Sequence, residues 1–227
     1  MPAARTIGLE LVILGLGIGA LVPIFTVVYP AAGVSPGSAS DPGVVLPVIA
    51  ANPILVMGPG ALEVMAHVVG LAAVLGLWAR FGRSSFLLAA ATMAAVAWLS
   101  VDIVDNAIAY HVAARLAADY VAGSPTAGAA FGQVTGVVDA IRLGGHVLGG
   151  LWAVGLSTFI IRTRPLPVGV GWLGIAVGAI FAANLFVPAA LNVSFLTVPA
   201  WLIILGTVVV RAKPASVPAS VQQPALA

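Results

Sequence analysis

The chain contains no cysteine, and only 7% of its 227 residues are charged. The absence of cysteine excludes disulfide bonds, thiolate metal ligands and cysteine nucleophiles. A soluble domain carries about 25% charged residues, so this chain lacks the polar surface that water requires. With 61% hydrophobic residues, the composition predicts a membrane protein whose main partner is the lipid bilayer. The formal net charge of +2 gives no indication of nucleic-acid binding.

The sequence also lacks the motifs of several enzyme classes. It has no Walker motif, no His-Glu-x-x-His and no lysine inside an apolar run. These absences exclude a P-loop nucleotide site, a zinc-protease helix and a retinal Schiff base. The sequence leaves open whether the protein is an enzyme, and it leaves the oligomeric state open.

Six apolar runs approach the roughly 20 residues that cross a bilayer core. They predict an all-α bundle of six transmembrane helices forming one domain over residues 1–211, followed by a disordered cytoplasmic tail at 212–227. The predicted spans are residues 7–29, 60–79, 84–104, 142–161, 168–187 and 193–210. A cleaved signal peptide is the alternative for the first run, but that run exceeds the roughly 7–15 apolar residues of a signal sequence.

Two loops on the same side of the bundle are predicted from their composition. Residues 30–57 contain five prolines, which exclude a regular helix and predict a long external loop. That loop lies on the membrane surface or folds back over the bundle. The third span is predicted to continue as one helix as far as Gly123, and residues 123–137, rich in Gly, Ser and Thr, are predicted to form the next loop.

The basic residues are divided unevenly between the two sides of a six-span bundle. One side holds Arg5, Arg80, Arg83, Arg162, Arg164, Arg211 and Lys213. The opposite loops hold only Arg115 and the boundary residue Arg142. By the positive-inside rule, both termini are expected to be cytoplasmic.

The polar residues of different spans are predicted to lie at a similar depth. With about 1.5 Å of rise per residue, five of them fall roughly 20–28 Å from the cytoplasmic ends of their spans: Glu63, His67, Asp102, His146 and Asn184. Arg142, Asp139 and Asp105 lie just beyond that level. Because a charged side chain facing lipid costs roughly 2.5–3.5 kcal/mol near mid-bilayer, these groups are expected to point inward. The sequence therefore predicts an outward-facing polar pocket with these candidate ligand-binding residues: Glu63, His67, Asp102, Asp105, Asn106, Arg142, His146 and Asn184.

Several interpretations of this pocket remain open. Glu63, His67 and His146 can be ligands of a divalent metal such as zinc, iron or manganese. His67 and His146 can instead be axial ligands of a haem. Alternatively, Glu63 or Asp102 neutralises Arg142, and Asp139 forms an intrahelical pair with it. A continuous proton or ion path is not visible, because the cytoplasmic parts of the spans are apolar except at Glu10.

Part of the chain resembles a known family. The residues that carry the resemblance are His146-Val-Leu-Gly-Gly-Leu-Trp-Ala-Val-Gly-Leu-Ser, Arg162-Thr-Arg-Pro-Leu-Pro and Gly171-Trp-Leu-Gly-Ile-Ala-Val-Gly-Ala. Over residues 138–211 the sequence is similar to uncharacterised six-span bacterial membrane proteins that are grouped as a domain of unknown function. The resemblance implies a six-span fold in the bacterial cytoplasmic (inner) membrane, and it implies no activity. Arg142 is not expected throughout such a family.

Three functional hypotheses follow. The first is a multi-pass membrane protein whose outward-facing pocket binds a small ligand, a lipid headgroup or an ion. The second is a membrane-embedded metal-dependent enzyme that uses histidine and carboxylate ligands. The third is a structural or partner-binding bundle.

Overall fold

The structure is a computed structural model that describes residues 3–35, 38–82, 84–187 and 189–212. Over these residues the protein is all-helical, as the composition predicts. The helices are α1 (Ala4–Ala31), α2 (Pro42–Ala51), α3 (Ile54–Phe81), α4 (Phe86–Val121), α5 (Ala127–Thr163), α6 (Val168–Ala183) and α7 (Ala189–Arg211). The predicted tail, apart from Ala212, and the basic residues Arg83 and Lys213 lie outside the described residues.

Five of these helices, α1, α3, α4, α5 and α7, are long and apolar enough to cross a membrane. This finding indicates a membrane protein. Helix α6 is apolar but has only 16 residues, which corresponds to about 24 Å at 1.5 Å per residue. That length is shorter than the roughly 30 Å of a bilayer core, so α6 does not qualify as a span by length.

Six helices pack side by side in a closed ring. Around the ring, α1 contacts α3, α3 contacts α4, α4 contacts α5, α5 contacts α6, α6 contacts α7, and α7 returns to α1. The outer surface exposes large apolar side chains such as Leu16, Phe86 and Met93. The interior holds the fully buried indoles of Trp98, Trp152 and Trp201, next to the polar residues described below.

Glycines set the close approach of two pairs of helices. A Cβ on Gly8 of α1 would lie 2.5 Å from the carbonyl oxygen of Gly206 on α7. A Cβ on Gly150 of α5 would lie 2.7 Å from the carbonyl oxygen of Gly178 on α6. Backbones this close have no room for a side chain, as is common where membrane helices pack through small residues.

The prediction that residues 30–57 exclude a regular helix is wrong. Helix α2 forms within this segment, because Pro42 occupies the first helical position, where no backbone N–H is needed. The Asp41 carboxylate caps the helix by accepting a hydrogen bond from the Gly43 N–H at 2.8 Å. Leu46 and Ile49 are buried, and α2 packs against α4 and α5. The segment thus folds back over the bundle, which was one of the two expected placements.

The predicted loop at 123–137 is also wrong over most of its length, because α5 already begins at Ala127. Helix α4 does continue as one helix to Val121, and the break follows at Gly123. At the same end of the bundle, α6 stops at Ala183 instead of continuing to 187. Helices α4 and α5 therefore extend together beyond the part of the bundle that carries the apolar runs.

Candidate functional site: a buried polar cluster

A buried histidine–aspartate pair joins α3 to α4. The Nδ1 atom of His67 lies 2.7 Å from the backbone carbonyl oxygen of Glu63, one turn earlier. A carbonyl oxygen only accepts, so Nδ1 carries a hydrogen and donates it. The Nε2 atom faces Asp102 Oδ2 at 3.2 Å, and both residues are buried. Two lone pairs would repel at this distance, so a proton lies between the two atoms and the pair has no net charge.

An arginine–aspartate pair joins α5 to α4. Arg142 Nε donates to Asp105 Oδ2 at 3.0 Å, and Asp105 is completely buried. The intrahelical pair predicted with Asp139 is present, but its atoms are 3.5 Å apart and Asp139 is exposed. The expectation that Glu63 or Asp102 neutralises Arg142 is wrong, because Asp105 forms the ion pair. This second pair is also electrically neutral.

A third set of polar groups links α5, the end of α6 and α7. The Asn184 side-chain nitrogen lies 3.2 Å from His146 Nδ1. An amide nitrogen only donates, so His146 Nδ1 accepts in this arrangement. The Ser194 hydroxyl is 3.1 Å from the Asn184 side-chain oxygen and can donate to it. All three residues are buried. Because His146 Nδ1 carries no hydrogen here, the ring is neutral, and these hydrogen bonds fix its orientation.

Glu63 is the carboxylate that these pairs leave without a cation. The Tyr110 hydroxyl donates to Glu63 Oε2 at 3.3 Å. Within the part of the chain that the structure describes, no basic nitrogen lies within 4.0 Å of this carboxylate. Glu63 is partly buried. Because the two ion pairs are neutral, an ionised Glu63 gives the cluster one excess negative charge.

The cluster surrounds a small cavity. Glu63, His67, Asp102 and His146 line a space of about 40 Å³. An adjoining space of about 50 Å³ shares Glu63, Asp102 and His146 with the first and adds Arg142. Since one water needs roughly 10–15 Å³ by this measure, the cavity has room for a few waters or a small ligand. Polar residues of three helices, α3, α4 and α5, therefore line these adjoining spaces.

Aromatic side chains close this cavity on one side. Trp98 lines the cavity, and its ring lies 5.7 Å from that of Trp152, which lies 5.3 Å from that of Trp201. The Phe181 ring packs at 5.4 Å from Trp98 and 4.6 Å from His146. These side chains form an aromatic layer, which we define as Trp98, Trp152, Trp201 and Phe181. The aromatic layer therefore closes one end of the cavity.

The geometry does not support a metal or haem site. Among the described residues, no group of three or more His, Cys, Asp or Glu side chains is arranged to hold a metal ion. The predicted metal ligand His67 already uses both ring nitrogens, for the Glu63 carbonyl oxygen and for Asp102. A space of about 40 Å³ next to His67 and His146 is far too small for a haem.

Not every candidate residue reaches the cavity. Asn106 donates to the Asp102 backbone carbonyl of its own helix at 2.7 Å, and its side-chain oxygen has no partner among the described residues. Sequence reasoning missed Tyr110 and Ser194. Tyr110 lies one helical turn after Asn106 on α4, a spacing that could have indicated it. Ser194 had no such signal, because only the packing of α7 against α6 brings it to Asn184.

Comparison of the chain with protein-family models, with curated proteins and with solved structures finds no match. Function is therefore inferred from the chain's own residues and their geometry.

Proposed function

We propose that this chain is a six-span protein of the bacterial cytoplasmic membrane, with both termini cytoplasmic, that binds a small cationic ligand beside Glu63. The single observation that carries the proposal is a carboxylate that lines a cavity inside an apolar bundle and has no cationic partner among the residues that the structure describes.

The proposed topology is supported by the ring of helices and by the basic residues. Helix α6 occupies the place between α5 and α7 in the ring, and the Asn184–Phe186 turn continues the chain beyond its end. With α6 as a sixth span, the number of membrane spans is even, and both termini lie on the same side of the membrane. That side holds Arg80 and Arg162, which fits the positive-inside rule. The cavity then lies toward the opposite, outer face.

The proposed ligand class follows from charge and size. An uncompensated carboxylate inside a membrane is costly and usually marks a functional site. A proton, an inorganic monovalent cation or a small protonated amine supplies the missing positive charge. The adjoining spaces of about 40 and 50 Å³ accommodate a group of a few heavy atoms. The Tyr110 hydroxyl and the His67–Asp102 pair add hydrogen-bonding partners around it.

Titration calorimetry of the purified full chain in lipid nanodiscs tests this proposal. Methylammonium is the probe, and acetate is the anionic probe of similar size. We expect saturable binding of methylammonium only, and Glu63→Gln should weaken it at least tenfold. The matched control is Glu10→Gln, since Glu10 is the other glutamate of the apolar helices and does not line the cavity. Equal binding by wild type and Glu63→Gln, or preferential binding of acetate, overturns the proposal.

A structural bundle is the second candidate, because two neutral ion pairs already hold α3, α4 and α5 together. Stability separates the two candidates. If Glu63 serves a ligand, Glu63→Gln in the ligand-free protein removes an unpaired charge and leaves stability unchanged or higher. If Glu63 serves packing, the same change lowers the free energy of unfolding by about 1–3 kcal/mol. Denaturant titration in mixed micelles distinguishes these outcomes.

A further inference from the structure

A second, larger cavity lies between the outer end of α1 and the start of α7. Its volume is about 490 Å³, and its lining is mostly apolar, including Val22 and Phe25 from α1 and Phe195 and Leu196 from α7. Leu196 is 62% exposed, so the cavity reaches the surface that faces lipid in the proposed orientation. Cavities of roughly 300–1,000 Å³ with an apolar lining and a few polar groups are typical of small-molecule sites.

Two phenyl rings separate this apolar cavity from the polar cluster. Phe195 lines both the apolar cavity and the space of about 40 Å³ beside Glu63. Phe25 lines both the apolar cavity and the space of about 50 Å³ beside Glu63 and Arg142. The two ring centroids are 6.2 Å apart. The wall between an apolar and an acidic compartment is therefore one layer of two side chains.

The backbone of α1 changes where it carries this wall. Residues Ile24–Val28 form a π-helical turn between Pro23 and Pro30. Such wide turns inside α-helices occur often at functional sites. At the other end of the bundle, α1 and α7 are held close through Gly8 and Gly206. The two helices thus pack tightly near the proposed cytoplasmic face and enclose a cavity near the outer face.

We propose that the ligand is an amphiphilic amine, with its apolar body in the 490 Å³ cavity and its ammonium group beside Glu63, beyond the Phe25 and Phe195 side chains, which rotate apart to admit it. This inference rests on the proposed cation site. Charge complementarity selects the ammonium group, because Glu63 lines the cluster cavity and lacks a cationic partner among the described residues. Aromatic faces also attract a cation within about 6 Å of a ring. The apolar cavity favours entry from the lipid, with the body of the ligand remaining at the level of α1 residues 22–29.

A series of alkylammonium ions tests the proposal on the full chain in nanodiscs. Methyl-, butyl- and hexylammonium are titrated by calorimetry, and protein-free nanodiscs provide the correction for partitioning into lipid. Burial of one methylene raises affinity about fourfold, so we expect hexylammonium to bind at least 100-fold more tightly than methylammonium. Hexanol and hexanoate, which have the same chain without the cation, should bind at least tenfold more weakly than hexylammonium.

Two variants narrow the apolar cavity without touching the cluster. Leu196→Trp does so from α7 and Val22→Trp from α1. In these variants we expect hexylammonium to bind less than tenfold more tightly than methylammonium. The affinity for methylammonium itself should stay within twofold of wild type. Val193→Trp is the matched control, because Val193 is also exposed on α7 and does not line the cavity.

The outcomes separate this inference from the function on which it rests. If methylammonium binds at Glu63 but affinity does not rise with chain length, the amphiphile is excluded and the cation site stands. The amphiphile is likewise excluded if hexanol binds as tightly as hexylammonium. It is also excluded if both narrowing variants keep the full rise in affinity from methylammonium to hexylammonium. If no amine binds to the wild-type protein, the cation site itself is excluded and this inference with it.

Discussion

The Arg142–Asp105 pair gives the sharpest quantitative prediction. Asp105 is completely buried, and Arg142 Nε lies 3.0 Å from its carboxylate. Removing one partner of a buried ion pair typically costs about 3–5 kcal/mol, because the other charge remains unpaired. The Arg142 side chain is 31% exposed, so water reaches the site, and we expect Arg142→Gln to cost about 3 kcal/mol, at the lower end of that range.

A double-mutant cycle isolates the pair. Asp105→Asn removes a hydrogen bond to a charged group, which costs about 1.5 kcal/mol, since Arg142 keeps Asp139 and solvent. Combining it with Arg142→Gln leaves an uncharged amide pair at the same place. We expect the double variant to be less stable than wild type by no more than about 1 kcal/mol, which corresponds to a coupling of at least about 3.5 kcal/mol.

Denaturant titration in mixed micelles measures the free energy of unfolding of the wild type, the two single variants and the double variant. Asp139→Asn is the control, because its side chain is 59% exposed and its contact with Arg142 is 3.5 Å; a surface pair of this kind contributes about 0–1 kcal/mol. A coupling between Arg142 and Asp105 below about 1 kcal/mol would refute the reasoning. So would a loss from Asp139→Asn as large as that from Arg142→Gln.

Three further predictions test the bundle and its topology. Gly150→Val should lower the free energy of unfolding by about 1–3 kcal/mol, because the Cβ of the new side chain would meet the α6 backbone. Gly144→Val should be tolerated, because nothing lies within 4 Å of a Cβ at that position. Denaturant titration compares the two variants. Met93 is 74% exposed on α4. In a translocon-insertion assay, Met93→Arg should therefore raise the apparent free energy of membrane insertion by roughly 2.5–3.5 kcal/mol, and Met93→Leu should leave it unchanged. Reporter fusions at the two chain ends should both be active in the cytoplasm, and opposite locations would contradict the six-span proposal.

That polar residues of different helices lie near one another could be predicted from the sequence, because a helix converts residue number into height. Counting from the arginines puts Glu63 and His146 at a similar height, and both line one cavity. Their partners could not be predicted in the same way. The spacing of Asp139 and Arg142 indicates an intrahelical pair, but the shorter bond goes to Asp105 on another helix. Such a partner depends on how two helices are rotated against each other.

Two helical segments could not be predicted from hydropathy, each for a different reason. The prolines of residues 30–57 obscured α2, although Pro42 at the first helical position and Asp41 as a cap are compatible with a helix. The first turns of α5, from Ala127, are rich in glycine and polar residues. Hydropathy finds the part of a helix that meets lipid, and it gives no information on helical turns that continue beyond it.

The aromatic layer has an electrical consequence. In the proposed orientation, indole rings pack between the cavity and the cytoplasmic half of the bundle, and most of the transmembrane voltage would fall across that tightly packed half. A full crossing of one elementary charge is worth about 2.3 kcal/mol per 100 mV. In the proposed orientation a cation that stops at Glu63 traverses only the outer fraction of this field. Occupancy of the site should therefore respond weakly to membrane potential, and any current through the bundle would require these rings to separate.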